Sequence, residues 1–183
     1  MPIYCGDLTV TGTATGITSS GNVAFPAIQS ASTDANTLDD YEEGGWTPII
    51  TRSGSAPSIS YSHQTGWYRK IGSVCHAGFI VQVATNGLTS DGSGSWLLGG
   101  LPFASSSTGK GHGIITVTAN HSSSGYGSDD AAAWALWLDN SSSAAVFKAW
   151  DADSNGLHRG QVQDLNTISN EDSFQGLIHY FTA

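Results

Sequence analysis

The sequence predicts an all-β protein: an antiparallel, jelly-roll-like β-sandwich with an extended N-terminal arm. Three observations predict it. Glycine (23 residues), serine and threonine make up more than a third of the 183 residues, while Asp, Glu, Lys and Arg supply only 11%, about half the usual charged fraction. Short stretches alternate apolar and polar residues with period two. Clusters of Gly, Ser, Asn and Asp separate these stretches at sandwich-like spacing. With aromatics at 10% and six tryptophans, the chain has enough bulk for a core, unlike a disordered acidic chain.

Residues 1–45 read as an arm. The run LTVTGTATGI from Leu8 to Ile17 has small side chains, and Tyr4, Phe25 and Tyr41 are the arm's only aromatics. Such a segment buries too little apolar surface to offset its ordering entropy by itself. Other chains would have to order it, as in a thin stalk of copies wrapped about one axis. The segment from Thr37 to Asp40 can cap one helical turn. Gly44 and Gly45 would break it, and Trp46 would open the first strand of a head spanning 46–183.

The head offers about eight or nine strands. In Cys75–Val83, Cys75, Ala77, Phe79, Val81 and Val83 share one face, the pattern of a half-buried antiparallel strand. Ile115 and Val117 point inward by the same logic. Trp134, Leu136 and Leu138 share a face opposite Trp137, and Val146, Lys148 and Trp150 share another. Phe174–Thr182 supplies a closing strand. Turn signals fall at Asn86–Gly87, Asp91–Gly94, Ser105–Gly111, Ser122–Asp130 and Asn140–Ser143. No internal repeat is visible, which argues against a solenoid or propeller.

Six Lys and Arg against fifteen Asp and Glu give a net charge of −9, so no basic stripe exists for nucleic acid. The N-terminus has neither a basic n-region nor an apolar h-region, so no signal peptide is expected. No apolar run is long enough to span a bilayer, so no membrane insertion is expected. Cys5 and Cys75, seventy residues apart, suggest two reduced thiols, with neither a disulfide framework nor a zinc spacing.

Candidate chemistry is sparse. The run from Asp151 to Gly156 (DADSNG) places Asp151, Asp153 and Asn155 at the first, third and fifth positions of a calcium loop. The twelfth position is Val162, so the bidentate ligand is missing, Arg159 adds a cation, and a polar turn accounts for the same residues. Asp39, Asp40, Glu42 and Glu43 could pair as glycosidase carboxylates. On a flexible connector they read instead as a solvated or docking patch. The six histidines (63, 76, 112, 121, 158 and 179) show no local metal spacing, leaving only long-range convergence. There is no G-x-S-x-G elbow and no phosphate loop, so no catalytic residue and no cofactor is expected. The aromatics Trp67, Tyr68, Tyr126 and Trp137 are the candidate ligand platform, since their rings can stack on sugar faces; core or subunit packing is the competing role.

The run from Asp34 to Pro48 (DANTLDDYEEGGWTP) resembles a segment of tailed-bacteriophage virion surface proteins, roughly LDDYEEGTWTP, with Gly45 where Thr is usual. Gly66–Gly72 (GWYRKIG) is similar to that family's Y-x-K-I-G strand, and Gly99–Phe103 (GGLPF) to its GLPF turn. Phe174–Thr182 is similar to its closing strand, though less regular. The order matches over roughly residues 30–183. The resemblance implies a surface-exposed, trimeric virion protein with a β-sandwich C-terminal domain and no shared catalytic residues, its members being fibre or spike tips or small head-attached proteins. The chain is read as a homotrimeric, non-enzymatic fibre or spike of the virion surface, made in the host cytoplasm. The arm would join it to other virion proteins, and the head would adhere to host-surface polysaccharide. The alternative is a capsid decoration protein that clamps the head shell. A depolymerising spike enzyme ranks last, since 183 residues leave no room for a long β-helix.

Overall fold

The computed structural model describes residue 38 and residues 40–108, 111–118, 131–151, 162–164 and 168–182, with backbone alone at 111–118, 131–134, 149–151 and 162–164. These residues form ten strands and no helix. They are β1 (Tyr41–Trp46), β2 (Ile49–Arg52), β3 (Ser58–Ile71), β4 (Val74–Ser90) and β5 (Trp96–Gly99), then β6 (Gly111–Thr118), β7 (Ala131–Leu138), β8 (Ala145–Asp151), β9 (Val162–Asp164) and β10 (Ser173–Phe181). Every pairing is antiparallel. One continuous ladder runs β1-β3-β4-β10-β6-β7-β8-β5-β2, with β9 beside β8. It folds over on itself into the expected antiparallel all-β sandwich. The nested pairing of early with late strands, β4 with β10 and β5 with β8, is jelly-roll-like.

Alternation decides which side chains enter the core. Cys75, Ala77, Phe79, Val81 and Val83 of β4 are all fully buried, as their period-two spacing predicts. Leu136 and Leu138 of β7 are buried too, and Trp137 between them is exposed. Trp96, Leu98, Phe147, Phe174, Ile178 and Tyr180 are the other large side chains of the interior, with Ile50, Leu101, Ala145 and Ile168 packed among them. Phe147 of β8 meets Phe174 of β10 at 5.1 Å between ring centroids, so strands well separated in the ladder face each other across the core. The side chains of Ile115, Val117, Trp134 and Trp150 lie outside the described residues.

The ladder's two outer strands are neighbours in sequence. Only Thr47 and Pro48 separate β1 from β2, so the sheet must curl until its edges meet. Side chains stitch β2 to the part of β3 that β1 leaves unpaired. Ile50 N–H donates to Tyr61 Oη (2.8 Å) and Tyr61 Oη–H donates to Ile50 O (3.3 Å). Gln64 Nε2 donates to Pro48 O (2.8 Å). Gly100, at φ +77°, passes against the link: a Cβ there would sit 2.4 Å from Thr47 O, so this corner requires glycine.

Three local expectations differ from the structure. The proposed boundary between residues 45 and 46 falls inside β1, which begins at Tyr41 and pairs with β3. Gly44 and Gly45 therefore lie within a strand, and Trp46 ends a strand instead of opening one. Gly44 faces Tyr68, whose ring already stands 3.0 Å from where a Cβ would be. Leu38 and Asp40 are not helical; residues 1–37 and Asp39 lie outside the described residues. Asn86 and Gly87 form no hairpin turn. β4 runs through them, with Asn86 at φ +57°, where the β3–β4 register shifts between Ser58 and His63.

Candidate functional site

The outer face of β3, β4 and β10 carries an uncovered apolar surface. Trp67 (51% exposed), Ile71 (43%), Leu177 (50%) and Phe181 (47%) are four of the seven exposed large apolar side chains among the described residues. Register aligns them in two cross-strand rows. One runs Trp67–Gly78–Leu177 and the other Ile71–Val74–Phe181. The Trp67 indole lies over Gly78, where a Cβ would come within 2.4 Å of it. A missing side chain on β4 thus seats the ring against the sheet. Trp46 binds from the inner face: its Nε1 donates to Gly78 O at 3.0 Å, and its ring meets Phe79 edge-on.

Between the apolar rows runs a polar one. It crosses six strands in the order Glu43, Arg69, His76, His179, His112, Trp137. Arg69 Nε stands 3.6 Å from Glu43, both well exposed, and the His76 and His179 rings lie 5.5 Å apart. Among the described residues, no three His, Cys, Asp or Glu side chains group as a metal site. Trp137 Nε1 donates to Asp139 at 3.1 Å.

A second constellation lies on the inner face at the same end. Asp40 and Lys70 form a buried ion pair. Glu42 stands opposite Lys70 in the β1–β3 ladder, and Cys75 opposite Lys70 in the β3–β4 ladder. Tyr68 Oη donates to Glu42 at 2.6 Å, which pushes its phenol up to about 12, with burial adding to the shift. Burial raises the Cys75 thiol above its ordinary range, with Tyr180 in side-chain contact. Burial and Cys75 raise Tyr180 far above the ordinary phenol range, and its hydroxyl donates to Phe103 O at 3.1 Å. The Phe103 ring roofs the cluster, 5.3 Å from the Tyr68 ring and 5.5 Å from Lys70 Nζ.

These placements sort the candidate residues. Trp67 and Trp137 share the outer face, at the ends of different rows. Tyr68 does not join them. As the neighbour of Trp67 on a strand it points the other way, and its ring and hydroxyl are held inside by Phe103 and Glu42. Tyr126, Asp153 and Asn155 lie outside the described residues. Asp151 is placed by its backbone alone, opposite Ala131 at the end of β8. The acidic run is not one solvated patch: Asp40 is buried, Glu42 turns inward and Glu43 outward. Ile71, Leu177 and Phe181 were not singled out from sequence. The signal for the last two was present in the alternation, since Leu177 and Phe181 fall on the face of β10 opposite Phe174, Ile178 and Tyr180. Comparisons with protein-family models, curated proteins and solved structures returned no match.

Proposed function

We propose that this chain is a non-enzymatic structural protein of a tailed-phage virion surface, working as a homotrimer whose arm attaches it and whose head stands in solvent. The family resemblance of the Asp34–Pro48 segment supports the setting. The observation that carries the assembly is the apolar face of Trp67, Ile71, Leu177 and Phe181. Exposed apolar side chains grouped on one sheet face mark a site of interaction, here in two rows on either side of Arg69, His76 and His179. Its occupant is a second copy of the chain, because Leu38 (itself exposed) and Asp40 lead from the arm into β1 at the Ile71 end of that face. Arms wrapped about a common axis bring those ends together.

Light scattering tests this. The full-length protein should have three times the 19.0 kDa chain mass, and Leu177→Glu should lower that number while leaving the strand signal in circular dichroism unchanged. Removing residues 1–37, which spares β1, should weaken the trimer in the same way. A monomeric wild type at micromolar concentration would falsify the reading.

A second reading rests on Trp67. Its indole lies against Gly78 and is half exposed, and an exposed aromatic ring can stack on a sugar face. In that case Trp67→Ala abolishes adhesion to host polysaccharide without changing the oligomeric state.

A further inference from the structure

We propose that Lys70 and Asp40 join covalently, as an intramolecular isopeptide bond that staples β1 to β3. The inference stands on the inner-face cluster and is independent of the proposed function. Both side chains are buried and form an ion pair with each other. Asp40 is fixed from its backbone as well, since its carbonyl accepts from Gly72 N–H at 2.9 Å. The amine and the carboxyl are therefore held together by two strands and a turn, the arrangement that converts a slow bimolecular condensation into an intramolecular one. The reacting forms are a neutral amine and a neutral carboxylic acid, and one proton passed from Lys70 to Asp40 supplies both. The Phe103 ring 5.5 Å from Nζ, with buried Cys75 and Tyr180, shields the pair from water that would solvate the charged forms.

The step balances without any co-reactant. Lys70 Nζ attacks Asp40 Cγ, and the C–N bond forms. One proton leaves nitrogen, and the carboxyl hydroxyl departs with it as water. The product is a secondary amide. A carboxylate must carry the proton from nitrogen to the leaving oxygen. Glu42 is placed for this, directly opposite Lys70 in the β1–β3 register and fixed by the 2.6 Å hydrogen bond from Tyr68. No oxidant, metal or second protein takes part.

Intact mass spectrometry of the full-length protein under denaturing conditions is the test. The wild type should be lighter than its sequence mass, corrected for any loss of Met1, by one water. Its tryptic digest should hold one branched peptide that joins the segment of Asp40 to the segment of Lys70. Lys70→Arg and Asp40→Ala should each show the full sequence mass. Glu42→Gln should be purified as a mixture in which the dehydrated fraction grows over hours. A wild type at full sequence mass overturns the proposal, and needs no variant to fold. A water loss that survives Lys70→Arg overturns it too. Glu42→Gln that is fully dehydrated at the first time point overturns the role given to Glu42.

Discussion

Tyr68 shows how one side chain couples faces, charges and pH. Period two sends it inward while Trp67 goes out, and there its hydroxyl meets Glu42. The folded chain holds Tyr68 protonated up to about 12, and Tyr61 and Tyr180 are raised as well, mainly by burial. Unfolded tyrosines ionise near their ordinary value of about 10. Below that pH both states carry neutral phenols and stability is at its full value. Above it the unfolded chain loses protons first, so stability falls steadily as pH rises through the folded values. Urea midpoints should therefore decline from about pH 10 upward, and absorbance at 295 nm should show the tyrosinate rise coinciding with unfolding. A flat midpoint across that range would contradict the hydrogen bond to Glu42. Trp46 offers a second test at this scale. Its ring is half-buried and its Nε1 is satisfied by Gly78 O, so Trp46→Ala should cost about 2 kcal/mol in urea unfolding, below the 3–5 of a fully buried ring. The burial of Asp40 was not legible in the acidic run. Its partner Lys70 lies thirty residues on, and only the β1–β3 register brings the two together.

At the scale of elements, alternation was informative and adjacency was not. The inward sets of β4 and β7 follow from period two, because each strand has one face that tolerates water and one that does not. The missed apolar face of β10 follows from the same rule applied twice: Phe174, Ile178 and Tyr180 fill the core while Leu177 and Phe181 need a second cover. Asn86–Gly87 misled because that dipeptide suits both a hairpin turn and a bulge with positive φ; the long β3–β4 pairing selects the second. The seam between β2 and β3 makes a sharper prediction. At Ile50 the N–H and C=O point away from β5, where a further strand would ordinarily meet them, and the Tyr61 hydroxyl takes that place. Tyr61→Phe keeps the ring and strands both groups. It should cost about 1–2 kcal/mol by urea titration, and hydrogen exchange should show the Ile50 amide losing protection first. An unchanged Ile50 amide would mean that the seam is held by Gln64 alone.

For the molecule as a whole, the sandwich class was legible from composition, alternation and turn spacing. The strand order was not, since a strand's pattern names its faces and not its neighbours. The trimer proposed above is tested at the outer face. Leu177→Glu places a charge in the proposed interface, whereas Leu136→Glu places one in the core. The first should lower the oligomer mass and keep the fold, and the second should abolish the cooperative thermal transition. If both behave alike, the outer face is not an assembly surface. The position of β10 has a consequence for how the protein is made. It lies in the middle of the ladder, between β4 and β6, although a ribosome delivers it after every other described strand. Until its codons are read, β4 and β6 wait with open edges and the inward face of β4 has no cover, the kind of surface that recruits chaperones and aggregates. Translation that stalls before residue 173 leaves β4 and β6 without the strand that pairs with both of them, and no smaller version of the fold. The sandwich therefore works as a check on its own synthesis: folding is granted in one late step, to chains read through to β10.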